Sequence, residues 1–134
     1  MLMVALTPAA VTIGSSERAA ALFGPTFSHD GTEELRVAHL DEQRGLIALR
    51  MHGGGSPSGL TFPIRAIVLE ALTLGSQGLL LAHNHPSGDP SPSRADLIAT
   101  HALAEIAAPL GILFYDHLIF AGDQWRSLLA LGLL

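Results

Sequence analysis

Gly78-Leu79-Leu80-Leu81-Ala82-His83-Asn84-His85-Pro86 is a short apolar run that ends in a histidine pair and a proline. That is the pattern of a buried strand whose polar end opens on a site. Downstream, Pro86 to Pro92 reads as loop, Ser93 to Pro109 as a long helix and Ile112 to Phe120 as a further strand through Asp116-His117. Gly122-Asp123 then makes a turn into Gln124 to Leu134.

Upstream of the run, Ile64 to Leu74 has helical spacing of apolar residues, with Pro63 at the start and Gly75 as stop. Gly53-Gly54-Gly55-Ser56-Pro57-Ser58-Gly59 is a loop, because three glycines and a proline continue neither helix nor strand at low cost. Glu33 to Leu40 and Leu46 to Met51 read as two strands of a hairpin joined by a turn at Asp41 to Gly45. A first short helix is signalled by Ser15-Ser16 before Glu17 and runs to Phe23, where Gly24-Pro25 ends it. The order is αββαβαβ, which predicts an α/β domain with a mixed central sheet flanked by helices.

A chain of 134 residues, 49% hydrophobic and 14% charged, buries one core and not two, so residues 1–134 are read as a single domain. The net charge of −5, with seven scattered arginines and no lysine, opposes broad nucleic-acid binding. The absence of cysteine excludes disulfides, thiolate metal sites, a cysteine nucleophile and the cysteine pair that cytidine-deaminase chemistry requires. Met1 to Ile13 is apolar, yet no basic residue precedes Arg18 and Pro8 interrupts it, so it is read as mature chain and not as a leader. No stretch reaches the roughly 18–20 apolar residues of a membrane span. The expected compartment is the cytoplasm.

Residues i and i+2 of a strand share a face, so His83 and His85 present two imidazoles to one ion while Asn84 turns away. Asp96, eleven residues after His85 and past a turn rich in proline and glycine, returns to the same place at the start of the next helix. Two imidazoles and one carboxylate leave a coordination position for water, the mark of a catalytic rather than a structural zinc site. Zinc would lower that water's pKa from 15.7 towards about 7 and polarise a carbonyl. Two histidines and a carboxylate also form the facial triad of non-haem iron oxygenases, a second reading at this stage. Hydrolysis further needs a base that is not a ligand. Glu33 shares strand parity with the inward Leu35 and Val37 and is preferred to Glu34, which has the opposite parity.

His83-Asn84-His85-Pro86-Ser87-Gly88 with Ser93 and Asp96 resembles the signature of the JAMM (MPN+, or JAB) metalloproteases, and HNHPSG with the later Asp116-His117-Leu118-Ile119 is similar to their RadC-like branch. The resemblance runs from about Glu33 to the C-terminus and implies a JAB/MPN-like fold with cytidine-deaminase-like layering. It implies Zn2+ held by His83, His85 and Asp96, a water-activating glutamate at Glu33 and a serine, Ser93, that steadies the tetrahedral oxyanion. The implied activity is hydrolysis of peptide or isopeptide bonds, with a peptide or protein as substrate. Two rivals share the fold: a non-catalytic metal-binding interaction module, and a DNA-repair-associated RadC-like accessory protein. RadC-like proteins often carry an N-terminal helix-hairpin-helix region, which this chain is too short to include, and the triple glycine replaces their usual Gly-Thr. Ser93 and Asp96 also fit a helix N-cap with an acidic residue three positions on, a role that needs no catalysis and is compatible with one. Asp116-His117 equally fits a buried hydrogen-bonded pair.

Overall fold

The computed structural model describes residues 11–28, 30–53 and 62–134. The first ten residues, His29 and the glycine loop from residue 54 onward lie outside them. In chain order the elements are α1 (Ser16–Phe23), β1 (Leu35–Leu40), β2 (Leu46–His52), α2 (Ile64–Leu74), β3 (Gly78–Asn84), α3 (Arg94–Ala107), β4 (Leu113–Ala121) and β5 (Gln124–Ser127). The five strands form one sheet in the order β2-β1-β3-β4-β5. β1 is antiparallel to both β2 and β3, β3 and β4 run parallel, and β5 returns antiparallel to β4. The sheet is therefore mixed, and the layering is α/β, as the element order predicts.

β3 lies at the centre, and its burial explains its continuous apolar run. Leu80 and Ala82 pack with Ala38, Leu40 and Leu118 of the neighbouring strands against Ala19 and Phe23 of α1. Leu79 and Leu81 face the other way, with Leu35, Val37, Ile67 and Ala71 of α2, and Leu103 and Ala107 of α3. The sheet thus divides the core of the domain into two layers that share β3, and no residue of Leu79–Ala82 is free to be polar. At 25 cal/mol per Å², fully burying each leucine side chain contributes on the order of 1.5–3 kcal/mol.

The helices start and stop where local chemistry dictates. Ser15 caps α1 by accepting the Arg18 amide, as its place before Glu17 predicts. Gly75 ends α2 in the left-handed region at φ 68°, a conformation that costs glycine little. α3 gives way after Ala107 to a 3-10 turn, Ala108–Leu110, because Pro109 offers no amide to continue it.

Several boundaries differ by one or two residues from the sequence expectation, among them α3, which spans Arg94–Ala107 rather than Ser93 to Pro109, and β4, which spans Leu113–Ala121 rather than Ile112 to Phe120. β1 begins at Leu35 rather than Glu33, because the last register pairs are Leu35 with His52 and Leu35 with His83. The Gln124–Leu134 segment, given no type from sequence, contributes β5, which pairs with β4 across the tight turn at Gly122-Asp123. Its four residues, Gln-Trp-Arg-Ser, carry too little apolar alternation to stand out. Among the described residues no helix is long and apolar enough to cross a membrane.

Candidate metal centre

β3 delivers His83 to the α2 and α3 side of the sheet, in line with Leu79 and Leu81, and the chain leaves the sheet at His85. The His83 side chain is completely buried, whereas that of His85 is 15% exposed, so the pair stands between core and solvent. Their Nε2 atoms are 2.8 Å apart. Asp96 enters from the first turn of α3, with Oδ1 3.3 Å from His83 Nε2 and Oδ2 3.1 Å from His85 Nε2. The loop between the histidines and Asp96 turns through Gly88 at φ 89°.

Ser93 caps α3. Its Oγ accepts the Asp96 amide at 3.0 Å, and Asp96 Oδ2 accepts the Ser93 amide at 2.8 Å, a reciprocal capping box. The same carboxylate therefore orders the helix start and faces the imidazoles. The Ser93 hydroxyl uses only its oxygen in the cap, and the residue is exposed, so its hydrogen is available to a further acceptor.

Glu33 precedes β1, and its Oε1 stands 3.9 Å from His83 Nε2. Glu34 turns to the opposite side, where it pairs with the Arg36 guanidinium at 2.6 Å. That guanidinium holds its carboxyl below the usual range against the opposing effect of burial. Asn84, which the strand alternation turns away from the histidines, brackets Glu33: its Oδ1 accepts the Glu34 amide at 2.6 Å and its Nδ2 donates to the Thr32 carbonyl at 2.8 Å. A side chain thus extends the β1 to β3 ladder past its last main-chain pair. Sequence reasoning gave Asn84 no role, and its partners lie 50 and 52 residues away.

The donor chemistry fits a divalent ion. Glu33, His83 and His85 each offer one donor atom within 4.8 Å of the others, and Asp96 lies closer still to both imidazoles. Zinc–ligand distances of about 2.0–2.2 Å in a tetrahedron separate donors by roughly 3.3–3.6 Å, so the Asp96 spacings of 3.3 and 3.1 Å lie near that range and the 2.8 Å between the imidazole nitrogens needs to open by roughly 0.5–0.8 Å. His85 Nδ1 lies 2.8 Å from the Asp89 carbonyl, which only accepts, and this leaves Nε2 as the ligating nitrogen of the neutral ring.

Electrostatics follow the contacts. Burial alone would raise Asp96, but the His83 and His85 rings, which donate to it when protonated and no ion is bound, outweigh this and hold the carboxyl far below the usual range. The bond to Asp96 raises His85, against desolvation. His117 on β4 touches His83 at 2.6 Å and is kept neutral, because burial first, and His83 second, push it well below its ordinary value. Phe62 lies against both rings, with centroids 6.1 Å from His83 and 5.4 Å from His117. On the other flank of His85 opens a cleft of about 270 Å³, lined in part by Phe27, Asn84, Pro86, Gly88 and Phe120.

The Asp116-His117 pair divides between the two faces. Asp116 accepts the Ser127 hydroxyl and the Leu129 amide and so pins the chain after β5, whereas His117 faces the candidate centre.

A UPF0758 protein of Rhodobacter capsulatus is 39% identical over 107 residues, which are 80% of this chain and 50% of that protein. A UPF0758 protein of Ruegeria pomeroyi is 37% identical over 109 residues, 81% of this chain and 49% of that one. The chain spans about half the length of these curated relatives. The family profile described as "RadC-like JAB domain" matches residues 13–133. With the two histidines, Asp96 and the mixed sheet that brings them together, this match establishes that the chain belongs to the RadC-like JAB domain family.

Proposed function

We propose that this chain is a zinc-dependent hydrolase of amide bonds, acting on a peptide or isopeptide link in a peptide or protein substrate in the cytoplasm. The observation that carries this reading is the convergence of His83 Nε2, His85 Nε2 and both Asp96 oxygens at 2.8–3.3 Å, with a further carboxylate, Glu33, 3.9 Å from His83. His83, His85 and Asp96 would hold the ion. When bound, zinc acidifies a coordinated water and polarises a carbonyl.

Glu33 is then the proton carrier, because it reaches the same point from a different segment and is not tied into a helix cap. Its carboxylate takes a proton from the attacking water and returns it to the leaving amine. Ser93, with its oxygen used in the cap and its hydrogen free, donates to the oxygen that gains charge. The cleft beside His85 offers a place for the chain on one side of the scissile bond.

The test begins with elemental analysis of protein purified without added metal. Zinc at one equivalent, lost in His85→Ala and Asp96→Asn, supports the centre, whereas iron points to oxygenase chemistry. Glu33→Gln is expected to retain zinc and lose turnover on a peptide and isopeptide library by about 10²-fold or more. Full activity in Glu33→Gln sinks the assignment of the base, and tight zinc binding with no turnover in the unaltered chain favours an interaction module.

A further inference from the structure

His117 belongs to none of the donors, yet it is fully buried and touches one of them. Its second nitrogen, Nδ1, lies 2.7 Å from Thr100 Oγ1, and Thr100 Oγ1 lies 2.7 Å from the Asp96 carbonyl. A line of polar atoms thus runs from His83 Nδ1 through His117 and Thr100 to the main chain of Asp96, and all of it is enclosed.

The hydrogen inventory gives this line a direction. A hydroxyl has one hydrogen and a carbonyl only accepts, so Thr100 donates to the Asp96 oxygen and receives from His117 Nδ1–H. The buried His117 ring bonds His83 and Thr100 and no carboxylate oxygen, so it is neutral and has one ring hydrogen. Its Nε2 is therefore bare and accepts from His83 Nδ1–H. With that hydrogen on Nδ1, a His83 that ligates an ion does so through the lone pair of Nε2, the atom that faces His85 Nε2 and Asp96 Oδ1. Wired in reverse, Thr100 donates to His117 Nδ1 and His117 donates to His83 Nδ1. That places a hydrogen on His83 Nε2 and blocks it as a ligand.

We propose that Thr100 and His117 are positioning residues for the metal centre: they fix His83 as its Nδ1–H tautomer and present the Nε2 lone pair to the ion. The inference rests on the metal centre proposed above. It gives the histidine of the Asp116-His117 pair a task distinct from the structural one of Asp116. His83 has no main-chain carbonyl on its Nδ1, as His85 has in Asp89, so without this line its tautomer is unassigned.

The experiment measures zinc affinity by competition with a chromophoric chelator, together with long-range nitrogen–proton NMR correlations that locate each ring hydrogen. His117→Leu removes the acceptor and is expected to weaken zinc binding roughly 10- to 100-fold, the range for such supporting contacts. His117→Gln, which keeps an acceptor near the lost Nε2, recovers part of the affinity. Thr100→Val changes the shape little and also weakens binding, so it carries the test if His117→Leu does not fold. In the unaltered chain His117 is expected to hold its hydrogen on Nδ1. Affinity within twofold of the unaltered chain in every folded variant, or a His117 hydrogen on Nε2, overturns the proposal. If the unaltered chain takes up no zinc, the metal centre itself fails, and the His117 tautomer in the metal-free chain still decides the direction of the line.

Discussion

Asn84 is flanked by two imidazoles, yet its own bonds go to the far side of the strand, where it holds both peptide groups around Glu33. Replacing it by alanine leaves His83 and His85 in place but removes two hydrogen bonds, each contributing about 0.5–1.5 kcal/mol. Asn84→Ala is expected to bind zinc as before and to exchange the Glu34 amide hydrogen roughly tenfold faster, read by hydrogen exchange. Unchanged exchange would show that the bracket does not hold Glu33. At this scale the sequence was legible where a side chain acts along its own strand. The two-residue alternation put His83 and His85 together and separated Glu33 from Glu34, even though β1 starts two residues later than expected. Asn84, Thr100 and His117 were illegible as a group, because their partners come from other elements and no spacing within one segment encodes them.

At the scale of elements, the start of α3 serves two ends, and substitution at Ser93 separates them. The cap residue tolerates glycine at a cost of a few tenths of a kcal/mol, whereas alanine costs about 1 kcal/mol. Ser93→Gly and Ser93→Ala both lose the hydroxyl hydrogen, and both keep the main-chain amide that Asp96 Oδ2 accepts. Denaturant unfolding is expected to rank the unaltered chain and Ser93→Gly close together and Ser93→Ala lower. Turnover falls in both variants by a similar factor if the hydroxyl meets the substrate oxygen. Turnover that tracks stability instead leaves Ser93 as a cap alone. The helix ends were readable in advance because their signals are local: Ser15, Pro63, Gly75 and Ser93 act within one turn of where they stand. β5 was not, because it exists by pairing with β4 and pins itself through Ser127 to Asp116.

Over the whole molecule, burial in the core bears on the charge of polar groups, as His39 on β1 shows away from the metal centre. Its side chain is fully buried beneath α2, with Nε2 3.3 Å from Glu70, a carboxylate that also lies 2.8 Å from His52 Nε2. Burial draws His39 below its ordinary pKa, the Glu70 contact partly offsets this, and Arg50 and His52 add to the lowering. The folded chain thus resists a proton that the unfolded chain accepts near pH 6.5. The stability that follows from a neutral His39 is complete above that value and is lost as pH falls towards the lower folded pKa. His85, whose pKa is raised by Asp96, works in the opposite sense, so the pH profile of the unaltered chain alone does not isolate His39. Comparison with His39→Gln does, because His85, His52 and Glu70 are common to both proteins. As pH is lowered from 7 to 5, the unaltered chain is expected to lose unfolding free energy faster than the variant. The slopes differ by at most about 1.4 kcal/mol per pH unit, the limit for one proton. A constant offset, measured by urea unfolding at matched metal content, would mean that His39 titrates alike in both states and that burial beneath α2 does not set its charge.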